Sequence, residues 1–309
     1  MGRVQGTEEA EWHRLLEAAP SDVELAPGIT AADFLRFHVR PDDPPGAVFV
    51  PDVEYDVVGR DGGDRRPLVL HLYRRADPSE RRPAVVFVHG GGWTGGHPFQ
   101  QVRYAAAFAA AGYVTALVSY RLAGEALWPA ALADVHAATR WVRANAATLG
   151  ADPDRVALAG DSAGGHLALM AALTNRRWDP GDGDGDVRGD PDALVLWYPV
   201  VDLTAGADHP ELHTLAIGLL GSDHPALLAE ASPVEYVSPR CPPTLIQVGD
   251  GDDLTTAASI SALVDALRAH GTDVSLHVEP DAGHVFDLVP ANWPASRDRA
   301  LAFLADVFA

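Results

Sequence analysis

Lysine is absent from the 309-residue chain, so all 23 basic residues are arginine. Against 43 acidic residues they leave a formal charge of −20. That sign repels nucleic-acid phosphates and anionic membrane surfaces over most approaches, which excludes nucleic acid as a partner and favours a neutral or cationic small substrate. A single cysteine, Cys241, excludes an internal disulfide framework and a thiolate metal cluster. Placed beside Pro242 and Pro243 and before an apolar run, it reads as a loop or core thiol rather than a nucleophile. No apolar run is long enough to span a bilayer. The opening MGRVQGTEEAEW carries acidic residues where a secretory signal needs an apolar stretch. The expectation is a soluble, cytoplasmic protein with no membrane partner.

What is present is ordinary globular material, 47% hydrophobic and 21% charged, enough for a large core in one domain. Eight β-rich runs recur, at residues 53–58, 68–73, 84–88, 113–119, 155–159, 193–198, 244–248 and 274–278. A polar, glycine-rich stretch at 59–67 joins the first two as a hairpin, and most later runs are separated by helix-length segments. Helical spacing at 99–111, 129–149 and 256–270 ends each time at a glycine, Gly112, Gly150 and Gly271. The runs ending at Val88 and Val248 are nearly continuous apolar stretches, as in strands covered on both faces. Together these predict a doubly wound α/β fold. Its sheet is mostly parallel, eight-stranded and antiparallel at the start. The segment at 179–192, DPGDGDGDVRGDPD, spaces aspartates like a calcium loop, but Val187 and Ala193 stand where an EF-hand needs Gly and Glu. It reads as a solvated loop, and no metal site is expected.

The strongest chemical signal is Gly160-Asp161-Ser162-Ala163-Gly164, which follows the apolar run RVALA and opens the helical pattern HLALMAAL. At such a strand-to-helix elbow the serine is strained and exposed to substrate, and side chains at 160 and 164 would collide. Ser162 also gains the positive end of the helix dipole. A second signal, His89-Gly90-Gly91-Gly92-Trp93, follows the strand AVVFV. Glycine N–H groups there can approach a developing oxyanion unobstructed, so Gly91 and Gly92 are expected to act as donors with Ala163. His89 is expected to prop this loop.

A serine hydroxyl needs a base, and the base needs an orienting acid. Of 13 histidines, His284 stands in the short loop Asp281-Ala282-Gly283-His284 after the last strand, whereas His166, one helical turn past Ser162, reads as packing. Three carboxylates compete in Gly249-Asp250-Gly251-Asp252-Asp253, and Asp202 is a fourth; Asp252 is favoured over Asp253 and Asp202. Trp93, Phe99, Trp197 and Phe286 are candidate substrate-binding residues, with core packing as the alternative.

These motifs, with Tyr120-Arg121-Leu122, Trp128-Pro129-Ala130-Ala131 and ASPVEYVSPRCPP, make the chain resemble the hormone-sensitive-lipase-like and feruloyl-esterase-like carboxylesterases of the α/β-hydrolase superfamily over about residues 50–305. The acid motif of that family, an Asp three positions after a Gly, selects Asp252. The resemblance implies a cofactor-free hydrolase of small carboxylic esters and a variable cap, here residues 1–45 and an insertion at 203–235, with the α/β domain at 46–309. Val285 departs from it, since a small residue often follows the catalytic histidine. An arylformamidase or amidase uses the same constellation. A non-catalytic ligand-binding protein on this scaffold is the alternative from another class. A homodimer is a further expectation.

Overall fold

The computed structural model describes residues 24–26, 29–30, 38, 40–59, 65–174, 177–179, 187–207 and 209–309. Most of the expected N-terminal cap segment and much of the aspartate-rich loop at 179–192 lie outside them. A short antiparallel ribbon, β1 (Glu24–Ala26) and β2 (Ile29–Thr30), precedes the main sheet.

That sheet contains β3 (Ala47–Gly59), β4 (Arg65–Arg75), β5 (Arg82–Val88), β6 (Val114–Val118), β7 (Ala151–Asp161), β8 (Ala193–Trp197), β9 (Thr244–Gly249) and β10 (Val274–Glu279). All eight expected strands are present, in the spatial order β10-β9-β8-β7-β5-β6-β4-β3. Only β4 runs against its neighbours, antiparallel to both β3 and β6. The β5, β6, β7, β8 and β9 strands carry long unbroken buried runs, VVFV of β5 and VALAG of β7 among them. A strand shielded on both faces cannot alternate apolar with polar residues, and that is why these stretches read as continuous hydrophobic sequence.

Helices α1 (Val102–Ala110), α2 (Ala130–Ala144), α3 (Ala146–Leu149), α4 (Ser162–Leu173), α5 (Pro210–Leu220), α6 (Pro225–Glu230), α7 (Ala257–Ala269) and α8 (Trp293–Val307) fill the connections. The single helix expected over 129–149 is two, broken at Asn145, whose side-chain Nδ2 and backbone N–H both turn back to the Trp141 carbonyl. Every residue of α4 is buried, as its uniformly apolar LALMAAL requires. Helices α5 and α6 interrupt the alternation between β8 and β9, within the segment expected to be an insertion. The Trp128 amide donates to the Leu219 carbonyl, which ties this insertion to the body of the molecule.

The consequence for the site is positional. The carboxyl ends of β5, β7, β8, β9 and β10 all open on one edge, where ligand sites of open α/β sheets form. From β7 to β10 is three strand spacings, about 14 Å. A residue after β10 therefore has to reach back across that edge to meet one after β7.

Candidate active site

Ser162 is the first residue of α4, directly after β7, with φ 50°. A left-handed conformation at a non-glycine residue costs of order 1–3 kcal/mol. It persists because the surroundings leave no alternative: a Cβ on Gly164 would stand 2.0 Å from the Val88 carbonyl oxygen. The steric demand expected of the G-x-S-x-G pattern is therefore real, and it comes from the neighbouring strand β5. Of the six non-glycine residues with positive φ among those described, five sit around this edge: Trp93, Ser162, Tyr198, Asp281 and Val285. Concentrated strain of this kind marks a functional edge rather than a framework. A β-branched side chain is least at home there, so the small residue that often follows the histidine in the resembling family has a physical basis at Val285, with φ 58°.

The loops after β9 and β10 are stitched together. Asp250 Oδ1 accepts from the Ala282 amide at 3.3 Å, and the Gly251 amide donates to the Ala282 carbonyl at 2.9 Å. This carries His284 back over the sheet edge, where its Nε2 lies 3.1 Å from Ser162 Oγ and its Nδ1 2.8 Å from Asp252 Oδ2. Asp252 is held in turn: its Oδ1 accepts from the Leu254 and Thr255 amides at 3.0 and 2.7 Å, and its Oδ2 from Thr255 Oγ1 at 2.8 Å. Burial pushes the Asp252 carboxyl up, but the His284 contact and the Thr255 hydrogen bonds outweigh it and hold it below its ordinary range. An ionised Asp252 only accepts, so Nδ1 carries the ring proton and Nε2 presents a lone pair to Ser162.

The competing acids have other places. Asp250 staples the two loops, Asp253 is exposed, and Asp202 Oδ1 accepts from the amide and hydroxyl of Thr204. His166 is fully buried between the Trp93 indole N–H, 3.2 Å from its Nδ1, and the Ala231 carbonyl, 2.7 Å from its Nε2. His89 props the glycine loop as expected: its Nδ1 meets the Gly90 carbonyl at 2.8 Å, and its ring stacks on Tyr120 at 4.4 Å. Tyr120 also donates to the His89 carbonyl at 2.8 Å. Gly91 has φ 115°, and a Cβ there would lie 2.4 Å from the Gly95 carbonyl oxygen, so no larger residue fits this turn. Gly91 and Gly92 line the same cavity as Ser162 and His284, and Ala163 lies buried at the first turn of α4. Cys241 is a buried thiol pushed up to about 11 by its surroundings, which rules it out as a thiolate nucleophile at neutral pH.

The cavity measures about 330 Å³, the scale of a small ligand. None of Trp93, Phe99, Trp197 and Phe286 lines it, which corrects the expectation that they contact substrate. Trp93 lies edge-on to His166, Phe99 packs on Phe49 and His71, and Trp197 donates to Ser296 Oγ of α8 at 2.8 Å. Phe286 is buried edge-on to Tyr198. The cavity is instead bounded by Tyr198 and Asp287, the immediate neighbours of two of these residues, with Gln101, Tyr104 and Asp161, and by Leu215, Leu254 and Leu288. Sequence reasoning picked the right segments and the wrong side chains, because consecutive residues at a strand or loop end point in opposite directions. Asp161 lay in plain view inside the serine motif, whereas Tyr104 on α1 had no signal of its own.

Residues 70–267 match the BD-FAE family. Esterase LipQ of Mycobacterium tuberculosis is 33% identical over 248 residues, covering 77% of this chain and 57% of LipQ. The chain thus spans little more than half of that relative's length. Carboxylesterase NlhH of the same organism is 34% identical over 288 residues, covering 87% of this chain and 86% of NlhH. Among solved structures, native Thermogutta terrifontis esterase 2 superposes with a TM-score of 0.73 at 28% identity, covering 88% of this chain and 97% of that one. Other forms of that esterase are butyrate-bound or phosphonylated by sarin. The chain belongs to the BD-FAE family and has the α/β-hydrolase fold.

Proposed function

We propose that this protein hydrolyses small carboxylic esters through an acyl-enzyme, with Ser162 as nucleophile, His284 as general base and acid, and Asp252 as the orienting carboxylate. The observation that carries the reading is the unbroken chain Ser162 Oγ to His284 Nε2 at 3.1 Å and His284 Nδ1 to Asp252 Oδ2 at 2.8 Å. His284 takes the Ser162 proton as the oxygen attacks the ester carbonyl, and Asp252 stabilises the imidazolium that forms. The amides of Gly91, Gly92 and Ala163 receive the tetrahedral oxyanion, helped by the N-terminal end of α4. His284 then passes its proton to the departing alcohol, and a water activated by the same ring releases the acid.

No step in this sequence needs a metal or cofactor. The insertion carrying α5 supplies Glu211 and Leu215 to the cavity, which suits it to act as the cap that sets substrate size. Among the described residues no helix is long and apolar enough to cross a membrane. A cytoplasmic location fits the lone thiol.

Ser162→Ala tests the reading. Hydrolysis of p-nitrophenyl butyrate should fall by at least about 10³-fold, with the thermal unfolding transition retained. Turnover equal to that of the parent protein, or no labelling of Ser162 by a fluorophosphonate, would overturn it. A faster rate on a matched anilide would reassign the chemistry to amide hydrolysis.

A further inference from the structure

His166 is a buried titratable group that the reaction above does not use. It stands four residues after Ser162 on the same helix, α4, so regular backbone fixes its distance from the nucleophile. Its Nδ1 accepts from the Trp93 indole N–H at 3.2 Å, and its Nε2 donates to the Ala231 carbonyl at 2.7 Å. An indole N–H can only donate and a carbonyl can only accept, so the neutral tautomer with its proton on Nε2 is the form that satisfies both. Burial lowers the ring to about 4, which keeps it neutral around pH 7. An apolar side chain would fill a core position without the cost of burying two ring nitrogens, so packing does not account for an imidazole here.

Both partners bear on the reacting centre. Trp93 directly follows Gly91 and Gly92, which have φ of 115° and 58° and no side chains to anchor them. Bonds from the Thr94 and Gly95 amides to the Gly91 carbonyl shape this turn internally. Contacts outside the turn set where it stands relative to Ser162. On its near side the Gly90 amide donates to Asp161 Oδ1 at 3.0 Å. On its far side the Trp93 carbonyl accepts from the Ala123 amide at 2.8 Å, and the Trp93 indole reaches His166. Of these two far-side contacts, it is His166 that lies on the helix carrying the nucleophile. The other partner, Ala231, sits at the base of the insertion: the next residue, Ser232, accepts through Oγ from the Leu203 amide at 2.9 Å, where the insertion begins. The same insertion lays Leu215 on the glycine turn, since a Cβ on Gly92 would stand 2.7 Å from the Leu215 Cδ2.

We propose that His166 is a positioning residue of the oxyanion hole: its ring ties the glycine turn to the helix of Ser162 on one side and to the base of the insertion on the other, and the alignment of the Gly91 and Gly92 amides depends on that bridge. The inference rests on the ester-hydrolase reading and deepens it by naming a residue that never touches substrate.

The test compares 4-nitrophenyl butyrate with its thionocarbonyl analogue. Sulfur is the poorer hydrogen-bond acceptor and sits farther from carbon, so well-aligned amides favour the oxygen ester, and the oxo-to-thiono quotient of kcat/KM reports their alignment. A merely structural defect, which lowers the fraction of working molecules, scales both rates alike and leaves that quotient unchanged. In His166→Phe, kcat on the oxygen ester should fall about 10²-fold, the scale of a 1 Å misplacement, with KM within about threefold of the parent. The quotient should fall by at least about tenfold. His166→Gln should restore both to within about threefold of the parent, because its Oε1 can accept from Trp93 while its Nε2 donates to Ala231. Trp93→Phe removes the donor from the other end of the bridge and should lower the quotient as His166→Phe does, so it carries the test if His166→Phe does not fold. A quotient unchanged in the phenylalanine variants, or a His166→Gln protein as impaired as His166→Phe, overturns the bridge and leaves the esterase reading intact. A parent protein that cleaves neither ester overturns both.

Discussion

Replacing Asp252 by Asn separates orientation of the base from integrity of the fold. The asparagine Oδ1 keeps its two backbone donors, Leu254 and Thr255 at 3.0 and 2.7 Å, so the acid loop stays in place. The amide nitrogen, standing where Oδ2 was, donates to His284 Nδ1 instead of accepting from it. The ring proton must then sit on Nε2, 3.1 Å from Ser162 Oγ, with no lone pair left for the serine proton. We expect kcat on p-nitrophenyl butyrate to fall about 10⁴-fold, roughly 5.5 kcal/mol of barrier, the loss a wrong tautomer causes in a Ser/His/Asp protease. Unfolding free energy in urea should change by less than about 2 kcal/mol, since one charged hydrogen-bonding set is exchanged for a neutral one. Asp252 is held below its ordinary range when folded, so its stabilising contribution is present above about pH 4 and is lost as the pH falls through the folded value. The stability gap between parent and variant should therefore close in acid. Asp253→Asn and Asp202→Asn should stay within about threefold of the parent, because neither carboxylate touches the histidine. Activity of Asp252→Asn within tenfold of the parent, or collapse in either control, would refute the argument.

Two further predictions concern the frame around the serine. Gly164→Ala places a methyl group 2.0 Å from the rigid Val88 carbonyl oxygen, and should cost at least about 2 kcal/mol of stability and most of the esterase activity, read by thermal melts and initial rates. An unchanged melting temperature would mean that the elbow and β5 are less tightly apposed than described. His166, lowered by burial to about 4, must charge to follow the unfolded chain in acid. Its Nδ1 faces the Trp93 N–H, which opposes that charge. Between pH 6.5 and 4 the unfolded state binds the extra proton, so stability falls as pH falls, by an amount on the order of 3 kcal/mol. Subtracting urea unfolding free energies of His166→Gln, which lacks the titrating ring, should isolate that slope; parallel pH curves for the two proteins would refute it.

Much of this molecule is legible one-dimensionally. The central strands β5 to β9 announce themselves as apolar runs because strands buried on both faces have no polar positions to spare. The serine elbow and the glycine loop are contiguous motifs whose local sterics leave few alternatives, and the clash at Gly164 bears that out. Asp252 needed help from family resemblance, since three acids within four residues look alike until the loop's hydrogen bonds separate them. Which side chains of these segments face the cavity, Tyr198 rather than Trp197 and Asp287 rather than Phe286, is not legible in sequence, because the direction of a side chain at an element's end depends on backbone angles such as the φ of 37° at Tyr198.

Sequence alone therefore determined the α/β architecture, the family and the motifs that carry Ser162 and His284, since each is encoded in short-range pattern and order. Only tertiary structure decided which acid faces His284 and which polar residues wall the cavity. Those choices depend on loops from strands far apart in the chain folding back over one sheet edge, and a contact between distant segments leaves no local trace in either of them.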